Sequence, residues 1–161
     1  MPLITTKIVK IEGLSETVAG LRDEFSKATT ANILRRALLA GAEPVATAAQ
    51  ALAPRGPTGN LVASISATPA QPSRMTRTGK GTYDKQNEVE VLVEAGPVPE
   101  SVFQEFGTIH HRAQPFMRPA FEGQKANALN IIIKQMAAEI EKARARAARK
   151  SARIAAKIGS G

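Results

Sequence analysis

The spacing of apolar positions predicts two helices in the first third of the chain. Apolar residues recur at helical spacing over residues 15–28. A second run of roughly 22 residues follows Thr29 or Thr30, either of which could provide the N-cap. Pro44 lies inside this run and has no backbone N–H, so a kink or a break is expected at or just before it. The second helix must end before Pro54.

Alternation of apolar and polar residues predicts a small sheet in the middle of the chain. Residues 61–67 and 88–94 are both predicted to be strands, and the second largely alternates charged with β-branched side chains. Residues 69–87 between them are basic and rich in Pro, Gly, Ser and Thr, which indicates a long loop or hairpin tip. The two strands are therefore expected to pair antiparallel. A partial alternation at residues 3–11 favours an edge strand.

The last third of the chain predicts one long amphipathic helix over residues 119–158. Its apolar positions alternate between spacings of three and four, at Leu129, Ile133, Met136, Ile140, Ala143, Ala147 and Ile154. About 40 residues at 1.5 Å each would span roughly 60 Å. A domain of this size has a radius of gyration of only about 15 Å. The helix is therefore expected to project from its core and to need a partner, a bend or frayed ends.

These elements predict a single domain of the α+β class over residues 1–161. Residues 1–54 supply a strand and helices, residues 55–118 supply a small antiparallel sheet, and residues 119–158 supply the long basic helix. The sheet is expected to pack against the N-terminal helices, because a sheet with one apolar face must bury that face against another element.

Composition limits how the core can be built and where the protein could act. Hydrophobic residues make up 43% of the chain but aromatic residues only 4%, so the core must consist of Ala, Val, Leu and Ile. The absence of cysteine excludes disulfides and thiolate metal sites. No stretch approaches the ~18–20 apolar residues of a membrane span, and residues 1–10 lack the apolar segment of a signal peptide. A soluble, unsecreted protein without membrane contacts is expected.

The positive charge of the chain is concentrated near its C-terminus. The formal net charge is +8, and residues 134–161 contribute +6 of it, with eight Lys or Arg against two Glu. This asymmetry indicates a partner that is nucleic acid, an acidic protein surface or anionic lipid. A solvated helix face would carry the same charges, so the two interpretations stay open at this point.

Residues suited to catalysis are scarce. The chain has two histidines, His110 and His111, which are adjacent, and its aspartates are Asp23 and Asp84. Neither a Cys/His nor a Ser/His/Asp arrangement is therefore supported, and adjacent histidines in an extended chain point to opposite faces rather than to one metal. We expect no enzymatic activity, no metal and no cofactor. A hydrolase that uses Glu105 with His110 is the alternative.

Aromatic residues cluster between the predicted sheet and the long helix. Four of the six Phe and Tyr side chains are Phe103, Phe106, Phe116 and Phe121, and each could bury roughly 150–250 Å². Glycine, two prolines and a basic group lie between them. The pattern predicts a tightly turned aromatic loop over residues 103–118 that either fills the core or forms an interface.

Two blocks of sequence resemble the HK97 gp10-like family of tailed-phage proteins, described as tail-completion or neck components. Residues 103–108 (FQEFGT) and 114–120 (QPFMRPA) resemble one block of the family, and residues 58–61 (TGNL), preceded by Ala53-Pro54, resemble another. The similarity in order and spacing extends over about residues 12–145. The resemblance implies that the following residues form the structural motif of the family: Thr58, Gly59, Leu61, Phe103, Glu105, Phe106, Gly107, Thr108, Pro115, Phe116, Pro119 and Ala120.

This resemblance implies a structural virion protein, made in the host cytoplasm, that forms a ring at the head-tail junction or the head-proximal end of the tail tube. The ring, expected to be sixfold, would contact other neck and tail proteins and conduct DNA through its lumen. Basic residues that could line the lumen or contact partners are Arg74, Arg77, Lys80, Lys85, Lys142, Arg144, Arg146, Arg149, Lys150 and Arg153. The alternative is a basic protein that binds DNA nonspecifically through its C-terminal helix.

Overall fold

The computed structural model describes residues 14–70, 89–96 and 98–158. The elements in chain order are α1 (Leu14–Glu24), α2 (Lys27–Leu52), α3 (Asn60–Ser64), β1 (Ile65–Pro69), β2 (Val91–Ala95), α4 (Pro99–Phe106) and α5 (Met117–Ile158). This arrangement confirms the predicted α+β class, with a two-stranded antiparallel sheet, N-terminal helices and a long C-terminal helix. The predicted edge strand at residues 3–11 and nearly all of the basic loop lie outside the described residues. The assignment of the whole chain to one domain stays a prediction.

Helix α2 begins earlier than predicted and is not broken. Its N-cap is Ser26, whose side-chain oxygen accepts a hydrogen bond from the Thr29 backbone N–H at 3.4 Å. Thr30, the other predicted cap, is buried, and its hydroxyl donates to the Leu21 carbonyl at 3.2 Å, which joins α1 to α2. The helix continues through Pro44, so the predicted break is absent. A proline removes one hydrogen bond, and the helix is buried on both sides of it, at Gly41 and at Val45.

The main packing contact of the fold joins α2 to α5, which run antiparallel. Gly41 of α2 lies against Ala128 and Ile132 of α5, whereas Arg36, earlier in α2, reaches Glu139, later in α5. The predicted long C-terminal helix is confirmed, and α5 is continuous over 42 residues, which the sequence had left open. Because α2 has only 26 residues, α5 is longer by about 24 Å at 1.5 Å per residue.

The close approach of these two helices depends on the missing side chain of Gly41. A Cβ atom there would lie 2.9 Å from the Ala128 carbonyl oxygen and in steric conflict with the Ile132 side chain. We expect Gly41→Ala to lower the free energy of unfolding by about 1–3 kcal/mol relative to Gly20→Ala, as overpacking does. Urea unfolding of both variants measures the difference. Gly20 is also helical but has nothing within 4 Å of an added Cβ, so equal stabilities of the two variants would contradict the close-contact argument.

The sheet is shorter than predicted because its first strand starts late. Residues 60–64 form helix α3 instead of the first half of a strand. Gly59 precedes them with φ of 65°, a left-handed conformation that favours glycine, and Thr58 accepts a hydrogen bond from the Asn60 N–H at 3.5 Å. Strand β1 then pairs antiparallel with β2 as predicted, with Ile65 opposite Ala95.

A compact apolar cluster joins α2, α3, β1 and the start of α5. Its buried members are Ala46, Ala49, Ala53, Leu61, Ile65, Phe116 and Ala120. Four of the seven are alanines, but Phe116 is fully buried as well, so the expectation that the core consists of Ala, Val, Leu and Ile alone is wrong. Phe116 and Ile65 are the largest fully buried side chains. The Gln50 side chain donates to the Ile65 carbonyl at 2.8 Å and ties α2 to β1. The sheet edge is therefore fixed against α2 by both apolar packing and a hydrogen bond.

Candidate functional site

Glu105 of the first motif block caps the N-terminus of α5. Its carboxylate accepts hydrogen bonds from the backbone N–H groups of Phe116 at 2.8 Å, Met117 at 3.0 Å and Arg118 at 3.2 Å. The next residue, Pro119, has no N–H, and the Ala120 N–H donates to the Phe116 carbonyl. Every donor of the first turn is thus accounted for, and a negative charge lies at the positive end of the helix.

Loss of this carboxylate should destabilise the junction between α4 and α5. We expect Glu105→Ala to lower the free energy of unfolding by about 2–3 kcal/mol, because it leaves three N–H groups without their charged acceptor. Glu105→Gln keeps an acceptor oxygen without the charge and should lose less. The matched control is Glu100→Ala, an exposed glutamate of the same helix. If Glu105→Ala and Glu100→Ala unfold at the same urea concentration, Glu105 contributes nothing as a cap.

The chain turns sharply between α4 and α5, and Gly107 makes the turn possible. Gly107 has φ of 75° and ψ of 179°. The Thr108 N–H then donates to the His111 carbonyl at 2.8 Å, and the Gln114 N–H donates to the Gln104 carbonyl at 2.7 Å. Glu105 is engaged in capping α5, and His110 is exposed in this turn, so the geometry gives no support to a Glu105–His110 hydrolase.

The aromatic cluster is divided between the core and the surface. Phe116 is 0% exposed in the core, whereas Phe103 and Phe106 are about half exposed, at 50% and 52%. The predicted aromatic loop is partly wrong, since Phe103 and Phe106 lie in helix α4 and the loop begins only at Gly107. The sequence left open whether these residues fill the core or form an interface. Phe116 fills the core, whereas Phe103 and Phe106 are exposed and available for an interface.

An exposed apolar surface lies on α4 and the turn that follows it. We call it the α4 patch, and its members are Val102, Phe103, Phe106 and Ile109. Ile109 is 93% exposed. Several large apolar side chains exposed within eight residues of the chain are typical of a protein–protein contact.

The remaining motif residues lie in the turn that starts α3 and in the segment between α4 and α5. Thr58, Gly59 and Leu61 form the turn that starts α3, with Leu61 buried in the core. Thr108 holds the turn after α4 through its side-chain oxygen, which accepts from the His110 N–H at 3.2 Å. Pro115 is exposed immediately before Phe116.

Two of the basic residues proposed for partner contacts are paired within the chain. Lys142 donates to Glu139 at 2.9 Å, and Arg36 donates to the other oxygen of the same carboxylate at 2.8 Å. Glu139 is only 4% exposed, and these hydrogen bonds, from Lys142 first and Arg36 second, lower its pKa. A buried carboxylate needs such partners.

Arg144 is held in a similar way at the end of the α2–α5 contact. It donates to both carboxylate oxygens of Glu24, at 2.7 and 3.0 Å, and to Glu141 at 3.0 Å. The hydrogen bond with Glu24 is the largest cause of the raised pKa of Arg144, and it lowers the pKa of Glu24 in turn. The Arg36–Glu139 and Arg144–Glu24 pairs therefore join α5 to α2 and to α1, whereas Lys142 pairs with Glu139 within α5 itself.

The rest of the positive charge lies beyond this contact. Residues 147–158 of α5, which we call the distal segment, are exposed throughout. The segment carries four basic residues and no acidic one: Arg149, Lys150, Arg153 and Lys157. At 3.6 residues per turn these side chains, together with Arg146, fall on one side of the helix within roughly 100°. Ile154 and Ile158 lie next to that side and are 50% and 76% exposed.

Other candidate chemistry falls outside the described ranges or is absent from them. Arg74, Arg77, Lys80 and Lys85 lie outside the described residues. Within residues 14–70, 89–96 and 98–158, no group of three or more His, Asp or Glu side chains could hold a metal ion. The helices of the same ranges include none that is long and apolar enough to cross a bilayer.

One protein family matches this chain. Its description is "Bacteriophage HK97-gp10, putative tail-component", and the match covers residues 19–107, more than half of the 161 residues. It begins at residue 19, within α1, and ends at Gly107, so it does not include residues 114–120. Neither the comparison with individual curated proteins nor that with solved structures gave a match. The chain belongs to the HK97 gp10-like family, whose members are structural, tail-associated proteins of bacteriophages.

Proposed function

We propose that this protein forms a ring at the head-tail junction, or at the head-proximal end of the tail tube, and is needed for tail completion and head-tail joining. The ring is hexameric, and genomic DNA passes through its lumen. The observation that carries the proposal is the family match over residues 19–107. A tail-associated structural role implies contacts with other tail proteins and a place in the virion. The proposal involves no catalytic step and no cofactor.

The distal segment supports a path for DNA. Arg149, Lys150 and Arg153 make no ion pair with any described residue and lie on one exposed side of the helix. A lumen that conducts DNA must attract a polyanion without holding a particular base sequence, and exposed Lys and Arg side chains do this through phosphate contacts. The basic residues between 74 and 85 could add to the same surface. Lys142 and Arg144 contribute less to the attraction of DNA, because carboxylates of the chain already offset their charge.

The role in joining heads to tails can be tested in the phage that carries this gene. A stop codon early in the gene should abolish infectious particles, and electron microscopy should show DNA-filled heads and tails that are not joined. Wild-type protein supplied from a plasmid is the control and should restore infectivity. Joined, infectious virions in the absence of the protein would rule out the proposed function.

Nonspecific DNA binding through the distal segment is the second candidate, and the one-sided basic surface of α5 favours it. In that case the isolated monomer or dimer binds free duplex DNA at micromolar concentration. Four phosphate contacts would give a slope of log K against log salt of about −3.6. The ring proposal expects at most weak binding of free DNA and loss of head-tail joining when the gene is interrupted. Fluorescence anisotropy over a salt series separates the two.

A further inference from the structure

Two exposed apolar surfaces lie at opposite ends of α5. The α4 patch lies next to the start of α5, since Glu105 of α4 caps that helix. Ile154 and Ile158 lie at the other end. Ile154 follows Met117 by 37 positions in one continuous helix, a distance of about 55 Å. The two surfaces of one copy therefore cannot cover each other.

The isoleucines of the distal segment continue a face that is already an interface. Ala143 is buried where α5 packs on α2, and Ile154 lies eleven residues later, close to three full turns at 3.6 residues per turn. The two side chains therefore lie on nearly the same side of α5. Helix α2 does not extend along α5 as far as Ile154, so beyond that contact the packing face has no partner among the described residues. Alanines such as Ala147 and Ala155 flank the isoleucines and allow another surface to approach closely.

We infer that these surfaces join neighbouring copies head to tail, with Ile154 and Ile158 of one copy packed on Phe103, Phe106 and Ile109 of the next. The inference rests on the proposed ring and names the contact that builds it. Two different surfaces on one subunit make a heterologous contact, which continues from copy to copy until the rotation closes a ring. Pairing of like surfaces would stop at a dimer.

The same arrangement leaves the basic residues available. The centre of the basic side of the distal segment lies about 100° around the helix from the isoleucines. A contact through Ile154 and Ile158 therefore buries apolar surface without taking Arg149 and Arg153 out of solvent. The apolar and the basic sides of the segment serve two different partners.

Cysteine cross-linking of the full-length chain tests the contact, because the natural sequence has no cysteine. Phe106→Cys and Ile154→Cys are made in separate, differently tagged chains, and both positions are half exposed, so the substitutions should not prevent folding. A short bismaleimide is added to the mixture. We expect a cross-linked heterodimer at about tenfold or more above a mixture of Phe106→Cys with Lys134→Cys, since a real contact gives the two thiols a millimolar effective concentration. Lys134 is exposed on the same helix.

Each outcome decides the question. Heterodimer in the mixture, and no dimer from either variant alone, supports the head-to-tail contact. Cross-linking of Phe106→Cys or Ile154→Cys with itself indicates pairing of like surfaces and overturns it, as does a heterodimer yield equal to the Lys134→Cys control. The test is independent of the proposed function, because a chain that fails it and still restores head-tail joining in the phage acts through a different interface.

Discussion

Replacement of Phe116 by alanine is expected to lower the free energy of unfolding by about 3–5 kcal/mol. Phe116 is 0% exposed and is the one aromatic residue of the central apolar cluster. Its neighbours in α2, Ala46 and Ala49, are too small to fill the space that the ring would leave. The loss therefore combines the missing transfer free energy with an open cavity.

Urea or thermal unfolding followed by circular dichroism measures this loss. The matched control is Phe103→Ala, the same chemical change at a half-exposed position in α4, which should cost about 1 kcal/mol or less because little buried surface is lost. The backbone N–H of Phe116 still donates to Glu105 in the variant, so the cap of α5 is kept. Equal losses for the two variants would show that Phe116 is not the centre of the core.

Gly107→Ala is the second substitution with a large expected effect, about 3 kcal/mol. The observed φ of 75° with ψ of 179° belongs to a region that is essentially restricted to glycine. An added Cβ would also lie 2.8 Å from the Ala113 nitrogen and 2.9 Å from the His111 oxygen. Both are backbone atoms of a hydrogen-bonded turn, so they cannot move aside as the end of a flexible side chain can.

Gly59→Ala separates the two causes of that loss. Gly59 is also left-handed, with φ of 65°, but nothing lies within 4 Å of an added Cβ. Gly59→Ala should therefore lower the free energy of unfolding only by the cost of the left-handed conformation, about 1–2 kcal/mol. A Gly107→Ala variant that is no less stable than Gly59→Ala would show that the turn after α4 tolerates a side chain. Unfolding of both variants in urea gives the comparison.

Local sequence signals predicted α5 well and α3 poorly. The three-and-four spacing of apolar residues persists over the last third of the chain, and the alanines there favour a helix, so the prediction needed little tertiary information. Residues 60–64 carry Leu, Val and Ser in an order that fits either a strand or one helical turn. The left-handed Gly59 and the hydrogen bond from the Ser64 hydroxyl to the Leu61 carbonyl decide for the helix.

The role of Glu105 could not be derived from local sequence because its partners lie 11 to 13 positions away. One signal was present. The residues before α5, Gln114, Pro115 and Phe116, include none of the usual N-capping side chains, so a long helix without a local cap required an acceptor from elsewhere. Local sequence could not show which phenylalanines are buried for a similar reason. A phenylalanine has the same local preferences whether it packs in the core or faces solvent.

The unsupported length of α5 has a mechanical consequence. From Ala143, the last buried residue of the helix, the chain continues for 15 residues to Ile158, or about 22 Å. The end of the helix is thus held only at its base. A tilt of about 10° there would move Ile158 sideways by about 4 Å over that length. In the proposed ring, the tip can follow a displaced neighbour while the core stays undisturbed, so the inferred contact tolerates small differences in ring diameter.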